Sequence, residues 1–156
     1  MFAGVGSFSI IIAKHSDAER IYSIDVNPTA VRFMQENVLL NRVFNRVVPL
    51  KGDAETIINE GLQKTADRVL MPLPEKAHEY LESATMALKP GGGWIHYYDF
   101  EHAGRDENPI DKVKAKVSEK LRSANLKFAF AFSRVVRDTG PRWQQIVLDI
   151  QIQGNQ

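Results

Sequence analysis

Two glycines, Gly4 and Gly6, flank Val5 just ahead of an apolar stretch, and Asp25 follows about 20 residues after them. A glycine turn at a helix start lets the backbone pass close to a ligand, and the helix amides point their dipoles into the same space. A carboxylate at the end of the next strand stands where a nucleoside ribose presents two hydroxyls, both of which would donate to Asp25. Asp53, in Gly52-Asp53-Ala54, ends a further strand. It could accept from an adenine amino group, cap the helix beginning at Ala54, or do both. Asp25 also has a plainer reading as a turn residue ahead of Asn27-Pro28, and the glycines as a bare tight turn. Taken together, a glycine turn and two acids at successive strand ends fit an adenosine ligand at the carboxyl edge of a parallel sheet. A dinucleotide fits less naturally, because the six-residue glycine fingerprint would place its third glycine at Ser9.

Further along, Met71-Pro72-Leu73-Pro74 closes an apolar run. Irregular backbone there could turn carbonyl oxygens toward a substrate, since prolines supply no competing amide, or it could simply stop a strand. His96, Tyr97 and Tyr98 end the next apolar run. Alternation sends His96 and Tyr98 to one face and Tyr97 to the other, where core filling is favoured over stacking on a base. His15, His78, His96 and His102 share no helix-face spacing, so no metal is assigned, and no serine nucleophile motif is present. Lys112, Lys114, Lys116 and Lys120 read as the solvated face of an amphipathic helix. Arg134, Arg137 and Arg142 gather at a hairpin and could meet phosphates, though exposed arginines are ordinary there.

The elements that must position these residues follow from periodicity. Phe8, Ile10, Ile11, Ile12 and Ala13 predict a mostly buried first helix ending near His15, and Arg20 to Asp25 a short strand. Asn27-Pro28 caps a helix with Val31, Met34 and Val38 as its stripe and a stop near Asn41. Val47 to Lys51 is a strand, Ala54 to Leu62 a weaker helix, and Asp67 to Met71 a strand suited to a sheet covered on both faces. Ala77, Tyr80, Leu81, Ala84 and Leu88 predict one helix, ended by Lys89-Pro90-Gly91-Gly92-Gly93. Trp94 to Tyr98 is a strand, and Asn108-Pro109 opens a helix whose face is Ile110, Val113, Val117 and Leu121. Leu126 to Val136 and Gln144 to Gln153 form a hairpin through Thr139-Gly140-Pro141.

That alternation predicts a mostly parallel α/β sheet closed by an antiparallel pair, in one domain over residues 1–156. A glycine turn of this kind normally follows a buried strand, so a first strand is expected immediately before Met1. It would lie centrally, between the strands at 20–25 and 67–71, and its absence would leave two apolar edges unpaired. The 156 residues are 44% hydrophobic and 25% charged, which suits one globular core and excludes a disordered tail. Twenty basic against nineteen acidic residues give +1, too balanced to announce a nucleic-acid partner by charge. With no cysteine, disulfides, thiolate metal sites and cysteine nucleophiles are excluded. No apolar run reaches the roughly 20 residues of a membrane span. The expectation is a soluble cytoplasmic protein, monomeric when complete.

Read together, the segments Phe2-Ala3-Gly4-Val5-Gly6, Ile24-Asp25-Val26-Asn27-Pro28, Gly52-Asp53-Ala54, Arg68-Val69-Leu70-Met71-Pro72-Leu73-Pro74, Ala77-His78-Glu79-Tyr80-Leu81 and Ile95-His96-Tyr97-Tyr98 resemble one family, in its order. It is the catalytic domain of archaeal and eukaryotic tRNA (guanine-37-N1)-methyltransferases and related wybutosine-pathway transferases, a branch of the Rossmann-like AdoMet-dependent methyltransferases. The resemblance implies S-adenosyl-L-methionine as cofactor, lined by Phe2, Gly4, Gly6, Asp25, Val26, Asn27, Asp53 and Ala54, and tRNA as partner. It implies that Pro72, Leu73 and Pro74 face the target base. In the guanine enzymes an asparagine stands where this sequence has Pro72, which keeps wyosine-type methyl or 3-amino-3-carboxypropyl transfer open beside guanine N1 methylation. The family's proton-accepting glutamate, its partner arginine and its tRNA-docking domain would all lie upstream of Met1. The 156 residues alone are therefore expected to bind AdoMet weakly and not to methylate tRNA. A non-catalytic interaction module, a nicotinamide-dependent oxidoreductase and a small-molecule methyltransferase are the competing classes.

Overall fold

The computed structural model describes residues 1–154. The chain divides into two compact units, Met1–Ile57 and Ile58–Gln156.

In the first unit, α1 (Ser7–His15), β1 (Ile21–Asp25), α2 (Pro28–Leu40), β2 (Val47–Lys51) and the short α3 (Ala54–Ile57) follow in order. β1 and β2 run parallel, Ile21 opposite Val47 and Asp25 opposite Lys51, so Asp25 and Gly52 come to one end of the pair. The core is built by Ala13, Val31, Met34, Val38, Val43 and Val47, with Ala3, Ile10 and Ile21 packed against it. α2 keeps its predicted stripe, and Asn27 caps it by accepting from the Thr29 amide at 2.9 Å. α1 is not mostly buried as predicted. A helix has one inward face, here Ser9 and Ala13 four residues apart, and the opposite face leaves Phe8 and Ile11 exposed. Arg46 staples the α1–β1 connection, its guanidinium donating to the carbonyls of Ala13, Ser16 and Ala18.

In the second unit, a π-helical turn (Ile58–Leu62) precedes β3 (Arg68–Met71), α4 (Pro74–Ala77), α5 (Leu81–Ala87), β4 (Gly92–His102), α6 (Pro109–Ser123), β5 (Phe128–Gly140) and β6 (Trp143–Gln153). The sheet order is β3-β4-β6-β5. β3 pairs parallel with β4, and β4–β6 and β6–β5 are antiparallel, so the α/β class and the closing hairpin are as predicted, whereas this sheet is not mostly parallel, because the hairpin joins it through β6 beside β4. Ile95, Tyr97, Ile146, Leu148 and Ile150 are fully buried, as are Val113 and Val117 of α6, which packs on β4 and β6.

Four further expectations are corrected from Ala54 onward. The helix predicted from Ala54 to Leu62 is α3 followed by the wider π turn, which carries Gly61, a poor helix former. β3 alternates, Val69 and Met71 buried but Leu70 only half so, rather than being covered on both faces. The single helix predicted over 77–88 is broken at His78–Tyr80 into α4 and α5. β4 runs on to His102, paired residue by residue with β6, so His96, Tyr97 and Tyr98 sit within the strand and not at its end. The β5 side of the hairpin carries three register irregularities, at Phe130/Phe132, Val135/Arg137 and Asp138/Gly140.

Candidate functional site

In the first unit the predicted cofactor residues converge at the carboxyl end of β1 and β2. Ala3 donates its amide to the Ile24 carbonyl at 2.9 Å, which lays the glycine turn beside the end of β1. The Asp25 carboxylate then grips the turn directly: Oδ2 accepts the Gly4 amide at 2.7 Å and Oδ1 the Asn27 amide at 2.9 Å. Phe2, Gly4 and Gly6 all take positive φ, +55°, +55° and +86°. At Gly6 a Cβ would lie 2.8 Å from Met34 Cγ, so glycine lets α2 close behind the turn, whereas a Cβ at Gly4 would meet nothing within 4 Å. Gly4 therefore opens onto free space, as a backbone that admits a ligand must. Asn37 of α2 secures the turn from behind, its Nδ2 donating to the Val5 carbonyl at 3.0 Å. Beneath it Ser23 donates to Ser9 at 2.6 Å in a buried pair.

The other predicted cofactor residues follow the carboxyl ends of β1 and β2. Val26 follows Asp25 and is 70% exposed, an apolar platform left to solvent at the strand end. Asn27 spends its side chain on capping α2. Asp53 takes its capping role, Oδ1 accepting from the Thr56 amide at 3.1 Å, and Ala54 is buried as the first residue of α3. Asp25 likewise takes its turn role, but each carboxylate oxygen has two acceptor positions, so a backbone amide on each leaves acceptor capacity for hydroxyls. The cradle thus offers one carboxylate, one bare glycine and one apolar surface.

In the second unit, Pro72, Leu73 and Pro74 link β3 to α4. The Leu73 carbonyl accepts from the Lys76 and Ala77 amides at 3.1 and 3.0 Å, so this oxygen is committed to α4 and not turned outward as predicted for the segment. Tyr97 is a core residue whose hydroxyl donates to Asp99 Oδ2 at 2.8 Å, and burial beside that carboxylate drives the phenol far above its usual range. Asp99, 5% exposed, also pairs with the Lys116 ammonium at 2.6 Å. His96 is clasped between Asp149, 2.7 Å from Nδ1, and Arg68, 3.1 Å from Nε2.

The lysines of α6 are not a simple solvated face. Lys112 reaches Glu107 at 3.2 Å and Glu101 at 3.4 Å, Lys116 reaches Asp99, and Lys120 donates to the His78 carbonyl at 2.6 Å and the Glu79 carbonyl at 3.3 Å. Their spacing of four, one position before Val113, Val117 and Leu121, is the signal that these side chains border the buried stripe. Of the hairpin arginines, Arg137 bonds Gln145 at 2.9 Å across the strands. No group of three metal-ligating side chains and no helix long and apolar enough to cross a membrane occurs among the described residues.

A family model for the TRM5/TYW2 methyltransferase domain matches residues 1–126. The tRNA (guanine(37)-N(1))-methyltransferase Trm5b of Pyrococcus abyssi is 39% identical over 152 residues, which are 97% of this chain and 42% of that protein. The tRNA 4-demethylwyosine(37)-methyltransferase Taw21 of Saccharolobus solfataricus is 37% identical over 150 residues, 96% of this chain and 52% of that protein. The chain therefore spans about half the length of these curated relatives. The solved structure of M. jannaschii TYW2 in complex with AdoMet is 28% identical with a TM-score of 0.88, covering 99% of this chain and 67% of that one. With the matched domain covering most of its length, the chain belongs to the TRM5/TYW2 methyltransferase family.

Proposed function

We propose that this chain is the cofactor-binding part of an AdoMet-dependent enzyme that methylates the purine at position 37 of tRNA, with guanine N1 as acceptor. The observation that carries it is the grip of Asp25 on the Gly4 amide, 2.7 Å, beside a glycine whose Cβ position is empty. When bound, the sulfonium cofactor supplies an electrophilic methyl carbon. The chain's own residues bind and orient it. Asp25 accepts the ribose hydroxyls, Phe2, Gly4 and Gly6 admit the backbone approach, and Val26, Asn27, Asp53 and Ala54 border the adenine. Pro72, Leu73 and Pro74 are assigned to the target base. Asp99 is not offered as a proton acceptor, since its carboxylate is already engaged by Tyr97 and Lys116. We place the protein in the cytoplasm as a monomer.

Pro72 favours a second reading. A proline side chain neither donates nor accepts a hydrogen bond, so it cannot orient guanine as an amide would. Transfer of a methyl or 3-amino-3-carboxypropyl group to a wyosine-type base then becomes the alternative.

The test is calorimetric titration of AdoMet, with NADH as control, into the wild-type protein and Asp25→Ala. Binding of AdoMet alone, lost in Asp25→Ala, is expected; binding of NADH, or of neither, overturns the cofactor assignment. Methyl transfer by the full-length protein to tRNA carrying guanine or 4-demethylwyosine at position 37 then separates the two acceptors.

A further inference from the structure

The break between α4 and α5 is held from a distance. In a continuous helix the carbonyls of His78 and Glu79 would accept from the amides of Glu82 and Ser83, one turn on. Here they accept from the Lys120 ammonium at 2.6 and 3.3 Å. A side chain inserted into the helical ladder is a recognised cause of a kink. α4 itself is only four residues long and has almost no helical stability of its own. It is tied at its start by the Leu73 carbonyl, along its side by the buried Pro74 and Ala77, and at its end by Lys120. Lys120 is presented by a firm element, because Val117 and Leu121 on either side of it are almost wholly buried. Of the other lysines on the same row, Lys116 meets carboxylates and Lys112 joins Glu101 and Glu107 to the His102 carbonyl at the end of β4, so only Lys120 reaches the bend between α4 and α5. The neighbouring His78 ring has its pKa lowered by burial and by Lys120 and Lys116, against the opposing pull of Asp99 and Glu119, which keeps a second cation away from the bend.

We propose that Lys120 is a positioning residue for the acceptor side of the reaction: by clamping the bend after α4 it sets the heading of that helix and so of Pro72, Leu73 and Pro74, which lead into it. This rests on the assignment of those three residues to the target base. Lys120 touches neither substrate nor cofactor; it acts through backbone.

The experiment compares Lys120→Met, Lys120→Arg and Lys114→Met in the full-length protein. In Lys120→Met, kcat/KM for methyl transfer to tRNA should fall about tenfold or more, the scale on which small misplacements act. The AdoMet dissociation constant should not move, because its assigned contacts run from Phe2 to Ala54. Lys120→Arg, whose guanidinium can donate to two carbonyls, should restore most of the rate, and Lys114→Met should retain it. Amide exchange at Lys76 and Ala77 should quicken in Lys120→Met alone. Should Lys120→Met not fold, Lys120→Gln, which keeps a shorter donor, carries the same comparison. A Lys120→Met enzyme with wild-type kinetics on tRNA and unchanged exchange overturns the inference alone. A wild-type protein that binds AdoMet but modifies no tRNA overturns the proposed function, and the acceptor role of Lys120 with it.

Discussion

Asp25 supports the glycine turn before any ligand arrives, which separates two kinds of substitution. Asp25→Asn keeps a carbonyl oxygen for one of the two amides but loses the charge; Asp25→Ala loses both bonds. The alanine variant should lose about 1–2 kcal/mol of stability, the net worth of such bonds, while both variants weaken AdoMet binding. Thermal unfolding and calorimetry on the same samples read the two effects apart. The glycines diverge similarly. Gly6→Ala combines a φ of +86° with a Cβ pressed against Met34, and should cost about 2 kcal/mol or more. Gly4→Ala meets no atom and should cost only about 1 kcal/mol for its left-handed backbone, yet should block the cofactor as thoroughly. Urea unfolding midpoints rank the pair, and a Gly4→Ala protein with wild-type AdoMet affinity would sink the cradle assignment. His78 adds a pH dependence. Its folded pKa is lowered below 6.5, so the unfolded chain binds more protons there and stability rises with pH through that window. The contribution is complete above the unfolded value and is lost as acid brings the pH down through the folded one. Melting temperature against pH should therefore be flatter below 6.5 in His78→Gln than in wild type.

At the scale of elements, α6 shows how an amphipathic helix can carry polar attachments at the border of its apolar stripe. Lys116→Met strands the Asp99 carboxylate, nearly buried and left with the Tyr97 hydroxyl. Because the lysine is itself partly in solvent, the expected loss is about 2 kcal/mol, short of that for a fully buried pair. Lys116→Met with Asp99→Asn should recover part of it, since the amide carries no charge to bury, and denaturant unfolding of the double variant checks this. Such contacts also explain what the sequence left unread. α2 was legible because all its instructions are local: Asn27-Pro28 starts it, Val31, Met34 and Val38 repeat on one face, and Asn41 ends it. The hairpin was legible for the same reason, although Thr139 and Gly140 belong to β5 and the turn itself is Pro141-Arg142. The break at His78–Tyr80 was not, because the group that meets its freed carbonyls, the Lys120 ammonium, lies 42 residues away. Nor was the far half of β4, where Asp99 and Glu101 look like loop residues until Lys112 and Lys116 are set against them. In the cradle, the acids at strand ends could be placed from spacing. The Met34 and Asn37 side chains that back the turn gave no signal, being ordinary residues of a helix.

The molecule as a whole divides its material unevenly. The first unit holds a two-stranded parallel pair covered by α1 and α2, and the second a four-stranded sheet with the longer ladders and the larger set of fully buried side chains. Amide exchange should therefore open Met1–Ile57 at lower free energy than the strands β4 and β6, and saturating AdoMet, at about 100 times its dissociation constant, should add about 2.7 kcal/mol to the first unit. Uniform exchange through both units, unmoved by the cofactor, would contradict this. At the opposite end of the topology lies β5, thirteen residues of edge strand with Phe132, Val135 and Val136 exposed. A straight edge of that length and composition would template the addition of another chain. Its three register irregularities against β6 interrupt the regular strand and bend it at each point. The hairpin can thus be long and apolar without offering one straight template, and smoothing those irregularities would turn a rim into a growth point for fibres.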